Sequence, residues 1–87
     1  MEEEKVIAIF NSNSQAVLLY NILVKKSYNV VLLSAPNQIS VGCTKGIRFN
    51  ISYLDIIKEE IKNNKLICRG MYKRIIKDNK YIYIPIN

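Results

Sequence analysis

Eighty-seven residues suffice for one core and leave no room for a second, so 1–87 reads as a single domain. Apolar residues make up 49% and charged residues 23%, with only 3 Gly and 2 Pro, which excludes a disordered chain, a collagen and a disulfide knot. The net charge of +6 is unevenly spread: Glu2, Glu3 and Glu4 form an acidic tip, while Lys65, Arg69, Lys73, Arg74, Lys77 and Lys80 face a single acid, Asp78. Part of that charge reflects a general skew towards Ile, Lys and Asn.

Lys5 to Phe10 is rich in β-branched residues and reads as a strand. It runs into Asn11-Ser12-Asn13-Ser14, a cluster of helix N-cap formers, and Ser12 with Gln15 fits a capping box. A helix follows from about Asn13 to Ser27, ending with Lys25 and Lys26 against the negative pole of its dipole. Asn29 to Ser34 is an apolar strand, expected at the centre of a sheet or covered on both faces. Ala35 to Lys45 is a loop rich in turn formers. Gly46 to Ile51 alternates Ile47, Phe49 and Ile51 against Arg48 and Asn50, a half-buried strand.

Ser52 is expected to cap a second helix, with Leu54, Ile57 and Ile61 on its apolar face. Asp55, Lys58, Glu59, Glu60 and Lys62 are expected in solvent, and Asn63-Asn64 supplies a left-handed stop. Leu66 to Ile76 is a long strand in which Gly70 suggests a bulge. Asp78-Asn79 turns the chain into a last strand, Lys80 to Ile86, which Pro85 assigns to a sheet edge. The order β-α-β-β-α-β, with right-handed crossovers, predicts an α+β, ferredoxin-like split βαβ sandwich with an extra C-terminal edge strand and both helices on one sheet face. The first helix is apolar nearly all round and the first strand on both faces. One sheet with two helices cannot bury all of that, so a homodimer or a docking surface is expected.

The chemistry concentrates in one loop. Cys43 lies between Gly42 and Gly46, which permit positive φ and close backbone approach. Amide groups of such a turn, with Thr44, can converge on an anion, and Lys45 and Arg48 add full positive charge. Arg48 falls on the strand face opposite Ile47 and Phe49, from which it can reach back to the loop. Each of these favours thiolate over thiol, the form that acts as a nucleophile. Cys68, set in a strand, reads as a packed and inert thiol. The chain has no His, so Ser-His and Cys-His pairs are excluded, and two cysteines cannot complete a tetrahedral zinc site. No metal or cofactor is expected, and a complete enzyme is not expected either. The acidic start is the reverse of a signal peptide, and no apolar run approaches the roughly 18 residues that a membrane span needs, so a cytoplasmic location with reduced thiols is expected.

Ile9-Phe10-Asn11-Ser12, Pro36-x-x-Ile39-Ser40, Cys43, Arg48-Phe49 and Gly70-Met71-Tyr72 together resemble the small bacterial selenium/sulfur carrier-like family, over roughly Lys5 to Tyr72. The family pattern places its glycine after the cysteine, whereas here Gly42 precedes Cys43. The resemblance implies a ferredoxin-like fold and a thiol, Cys43, that takes sulfur or selenium from a donor protein as a persulfide or perselenide and passes it to an acceptor. Gly42, Thr44, Lys45, Gly46 and Arg48 are the expected seat of the terminal anion. Two other readings compete. A dimeric adaptor or regulatory domain needs no reactive thiol. A nucleic-acid-binding module would use Tyr72, Tyr81 and Tyr83 beside Lys73, Arg74 and Lys80, but the aromatic signature of RNA recognition motifs is missing from the first and third strands.

Overall fold

A computed structural model describes residues 4–39 and 45–86. It is α+β: strands β1 (Lys5–Phe10), β2 (Val31–Ser34), β3 (Lys45–Asn50), β4 (Cys68–Lys77) and β5 (Lys80–Ile86) form one sheet in the order β2-β3-β1-β4-β5. Every neighbouring pair is antiparallel. Among the described residues, two α-helices, α1 (Asn13–Lys25) and α2 (Leu54–Asn63), accompany the sheet.

The main core lies between the helices and one face of the sheet. Val6, Ala8 and Phe10 of β1 meet Ile47 and Phe49 of β3, Met71 of β4, Ala16, Leu19 and Leu23 of α1, and Ile57 of α2. The alternation read in β3 holds, since Ile47 and Phe49 are buried while Arg48 is half-buried. Gly46 is buried for a steric reason. A Cβ there would stand 2.9 Å from the Ala8 carbonyl oxygen and 2.8 Å from Ile9 Cδ1. Close approach to β1 therefore explains this glycine.

Part of the apolar surplus is absorbed within the chain. Ile7 and Ile9, on the face of β1 away from the helices, are buried against Ala35, with Leu33, Ile39, Tyr72 and Tyr83 packed around them. The segment after β2 thus covers the helix-free face. The remaining surplus is on α1, where Val17, Leu18 and Val24 stay exposed.

Four local expectations are corrected. The apolar run of β2 lies at an edge of the sheet rather than at its centre, and Val31 is exposed. Asn50, not Ser52, caps the second helical segment: its side chain accepts the Ser52 N–H at 3.0 Å and opens a 3₁₀ turn, Ile51–Tyr53, ahead of α2. The left-handed stop falls on Lys65 (φ 54°), not on Asn63 or Asn64. There Lys65 N–H donates to the Lys62 carbonyl and Leu66 N–H to the Ile61 carbonyl, a Schellman closure that Ser27 (φ 67°) repeats at the end of α1. Glu60 is buried rather than solvated and pairs with Lys26, tying α2 to the C-terminus of α1.

The last hairpin follows expectation. Asp78 and Asn79 both have positive φ, the conformation that a two-residue turn needs to match the strand twist. Pro85 lies in the edge strand β5. The register of β1 on β4 shifts between Ile9↔Gly70 and Phe10↔Cys68, so the bulge is next to Gly70.

Candidate functional site

Cys43, Gly42 and Thr44 lie outside the described residues. The chain on either side of them is described, and both ends are anchored. On the entering side, Ile39 N–H donates to the Pro36 carbonyl at 2.9 Å, closing a turn, and Ile39 packs against the Ile7–Ile9 cluster. On the leaving side, Lys45 N–H donates to Asn13 Oδ1 at 2.9 Å, holding the start of β3 against the first residue of α1.

The sequence folds this way because three strand ends meet there. β1 ends at Phe10, β3 begins at Lys45 and β4 begins at Cys68, and their register places these ends together. α1 starts from the same corner. Ser12 Oγ accepts the Gln15 N–H at 3.3 Å, as one half of a capping box. The other half is diverted: Gln15 Oε1 accepts the Ile67 N–H at 3.0 Å, and Asn11 N–H donates to the Ile67 carbonyl. The polar run Asn11–Ser14 therefore both caps the helix and pins the starts of β3 and β4. A reading limited to capping misses Asn13 and Gln15 as tethers, because a short amide side chain carries no signal of its distant partner.

The positive pole of α1 consequently sits beside the residue that leaves the Cys43 segment. An anion near a helix N-terminus is stabilised by about 0.3–1 kcal/mol at an exposed position. The expected cations are arranged differently from one another. Lys45 pairs with Ser34 across β2 and its Nζ lies 3.5 Å from Ser34 Oγ. Arg48 pairs with Ile7 and Val31. Strand alternation sends these two side chains to opposite faces of β3, Lys45 to the helix side and Arg48 to the side covered by Ala35 and Ile39.

Cys68 is half-buried, and its Sγ donates to the Gly70 carbonyl at 3.4 Å. Burial pushes its pKa up, with backbone hydrogen bonding at Gly70 and Ile9 opposing in part. It lines a cavity of about 310 Å³ with Lys58, Ile61, Met71 and Ile86 between α2 and β4. Its environment favours the protonated thiol, the poorer nucleophile.

Tyr72, Tyr81 and Tyr83 share the helix-free face, where Arg74 joins them, and Lys80 lines a pocket with Tyr81 and Tyr83 at the hairpin end. Arg74 lies over the Tyr81 ring, 4.2 Å from its centroid. Lys73 turns away and pairs with Glu4 at 3.0 Å. Tyr72 and Tyr83 are occupied in packing against the Ile7–Ile9 cluster. Among the described residues no group of His, Cys, Asp or Glu is placed to hold a metal ion. No helix among them is long and apolar enough to cross a membrane.

A family model described as "Putative Se/S carrier protein-like" matches residues 5–73. No curated protein matches the chain, and no solved structure does.

Proposed function

The chain belongs to this Se/S carrier protein-like family, and from that premise we propose that it carries sulfur or selenium on Cys43 between a donor and an acceptor protein. The Cys43 thiolate attacks the outer sulfur of a donor persulfide. A new S–S bond forms at Cys43, the donor's S–S bond breaks, and the donor departs as a thiolate, so no external oxidant or reductant is consumed. The acceptor thiolate reverses the step. Selenium follows the same electron balance through an S–Se bond.

The family match carries this reading, and the tether between Lys45 and Asn13 supports it. The tether fixes the residue two positions after Cys43 beside the N-terminus of α1, where partial positive charge favours a thiolate or a persulfide anion. Gly42, Thr44 and Lys45 are assigned to that seat. Gly46 lets β3 approach β1 closely, and Arg48 acts from the opposite face, towards the Ala35–Ile39 side. The order β-α-β-β-α-β, followed by a fifth strand, supports a ferredoxin-like reading of the fold. A cytoplasmic setting, in which donor thiols stay reduced, suits the chemistry. The apolar side chains exposed on α1 support a homodimer.

Differential alkylation tests the assignment. Cys43 is expected to react with iodoacetamide at mildly acidic pH at least about tenfold faster than Cys68, since each pKa unit changes the thiolate fraction about tenfold in that range. Equal rates would remove the activated thiol and favour the adaptor reading.

A further inference from the structure

We propose that the β2 edge and the flank of α1 beside it pair with the same surface of a second copy of this chain, joining two sheets through antiparallel β2 strands. The inference rests on the homodimer reading and names its surface.

The outer edge of β2 pairs with no described strand. Its residues, Val31-Leu32-Leu33-Ser34, contain no charge and no Pro, and Val31 is 40% exposed. Soluble proteins guard free edges with Lys, Pro, bulges or a covering segment, because unpaired backbone groups template further strands. The opposite edge has such guards: β5 contains Lys80 and Pro85, and Lys77 lies directly across from Lys80.

The same edge is apolar on the helix side as well, where Leu32 packs against the main core beside α1, whereas Val31 points to the helix-free face with Arg48 and Leu33. Gln15 of α1 bonds to Ile67, on the β4 side. Val17 and Val24, two and nine positions further on, lie about 180° round the helix from Gln15 at 3.6 residues per turn. They therefore face the β2 side, and they are 40% and 48% exposed.

Charge selects the occupant. Each copy carries +6, so self-association favours the surface with the least charge. Positions 27–44, which include all of β2, contain no charged residue. An acidic partner would be better matched by the cationic β4–β5 hairpin, with Lys73, Arg74, Lys77 and Lys80. The β2 strand itself carries no charge, with Arg48 and Lys45 one strand further in, so its edge is the one that suits a like-charged partner, and a two-fold axis lets one patch complement itself.

Sedimentation velocity over a concentration series tests the proposal on the full chain. The wild type is expected to dimerise more tightly as salt is raised, because screening relieves repulsion between the copies. Val31→Lys and Val24→Lys are each expected to raise the dissociation constant at least about tenfold, while Ile84→Lys on β5 leaves it unchanged. Circular dichroism reports folding of each variant. Val24→Lys probes the same surface from the helix should the strand variant fail to fold. A wild type that is monomeric at every concentration overturns both the interface and the homodimer. A dimer unaffected by Val31→Lys and Val24→Lys, or broken by Ile84→Lys, overturns the β2 assignment alone.

Discussion

Strand β1 buries both of its faces, by different means. Val6, Ala8 and Phe10 lie under two helices, whereas Ile7 and Ile9 lie under a short stretch of irregular chain, Ala35 to Ile39, with flanking Leu33, Tyr72 and Tyr83. The first cover is a cooperative layer. The second is thin, and it is the stem that leads into the Cys43 segment. The difference separates the two covers: one face is held by a packed helix layer, and the other by a short irregular segment that is cheap to loosen.

Substitutions on the two faces sharpen that contrast. Phe10→Ala, beneath the helices, is expected to lower stability by about 3–5 kcal/mol in denaturant unfolding. Gly46→Ala tests the close approach of β3 to β1. Its added Cβ meets the Ala8 carbonyl oxygen, which cannot rotate away, and a loss of about 1–3 kcal/mol is expected. Ile39→Ala removes a half-buried side chain from the thin cover and is expected to lower global stability by only about 1 kcal/mol. Its amide-exchange signature should be local, with faster exchange at Ile39 and unchanged protection in α1. Equal loosening of both layers would break the comparison.

A smaller effect belongs to the helix layer alone. Pairing with Glu60 raises the Lys26 pKa above its ordinary value. A raised lysine pKa stabilises the fold fully below the unfolded value of about 10.4, and the contribution fades as pH rises through the folded value. Thermal melts on the alkaline side should show that loss in the wild type and a flatter profile in Glu60→Gln. A steeper profile in the variant would contradict the pairing.

The strands and helices were legible because alternation and helical spacing are local properties of Ile47-Arg48-Phe49 and of Leu54, Ile57 and Ile61. The Asp78-Asn79 turn and the edge position of β5 were also written locally, in turn formers and in Pro85. What the sequence concealed was partnership. An apolar strand at an edge reads the same as one at the centre, so the place of β2 in the sheet is not legible in its residues. Glu60 resembles any helix-surface acid until Lys26 arrives from another element, and Asn13 resembles any capping residue until Lys45 reaches it. For the candidate site, the family motif marked Cys43. The separation of Lys45 and Arg48 onto opposite faces also follows from strand alternation, but only once the start of β3 is known.

The most direct test of the central claim is mass spectrometry of the intact chain after incubation with a cysteine desulfurase and free cysteine. A reducible gain of one sulfur atom on Cys43 is predicted, lost in Cys43→Ser and retained in Cys68→Ser. No gain, or a gain confined to Cys68, would contradict the assignment of Cys43 as the carrier.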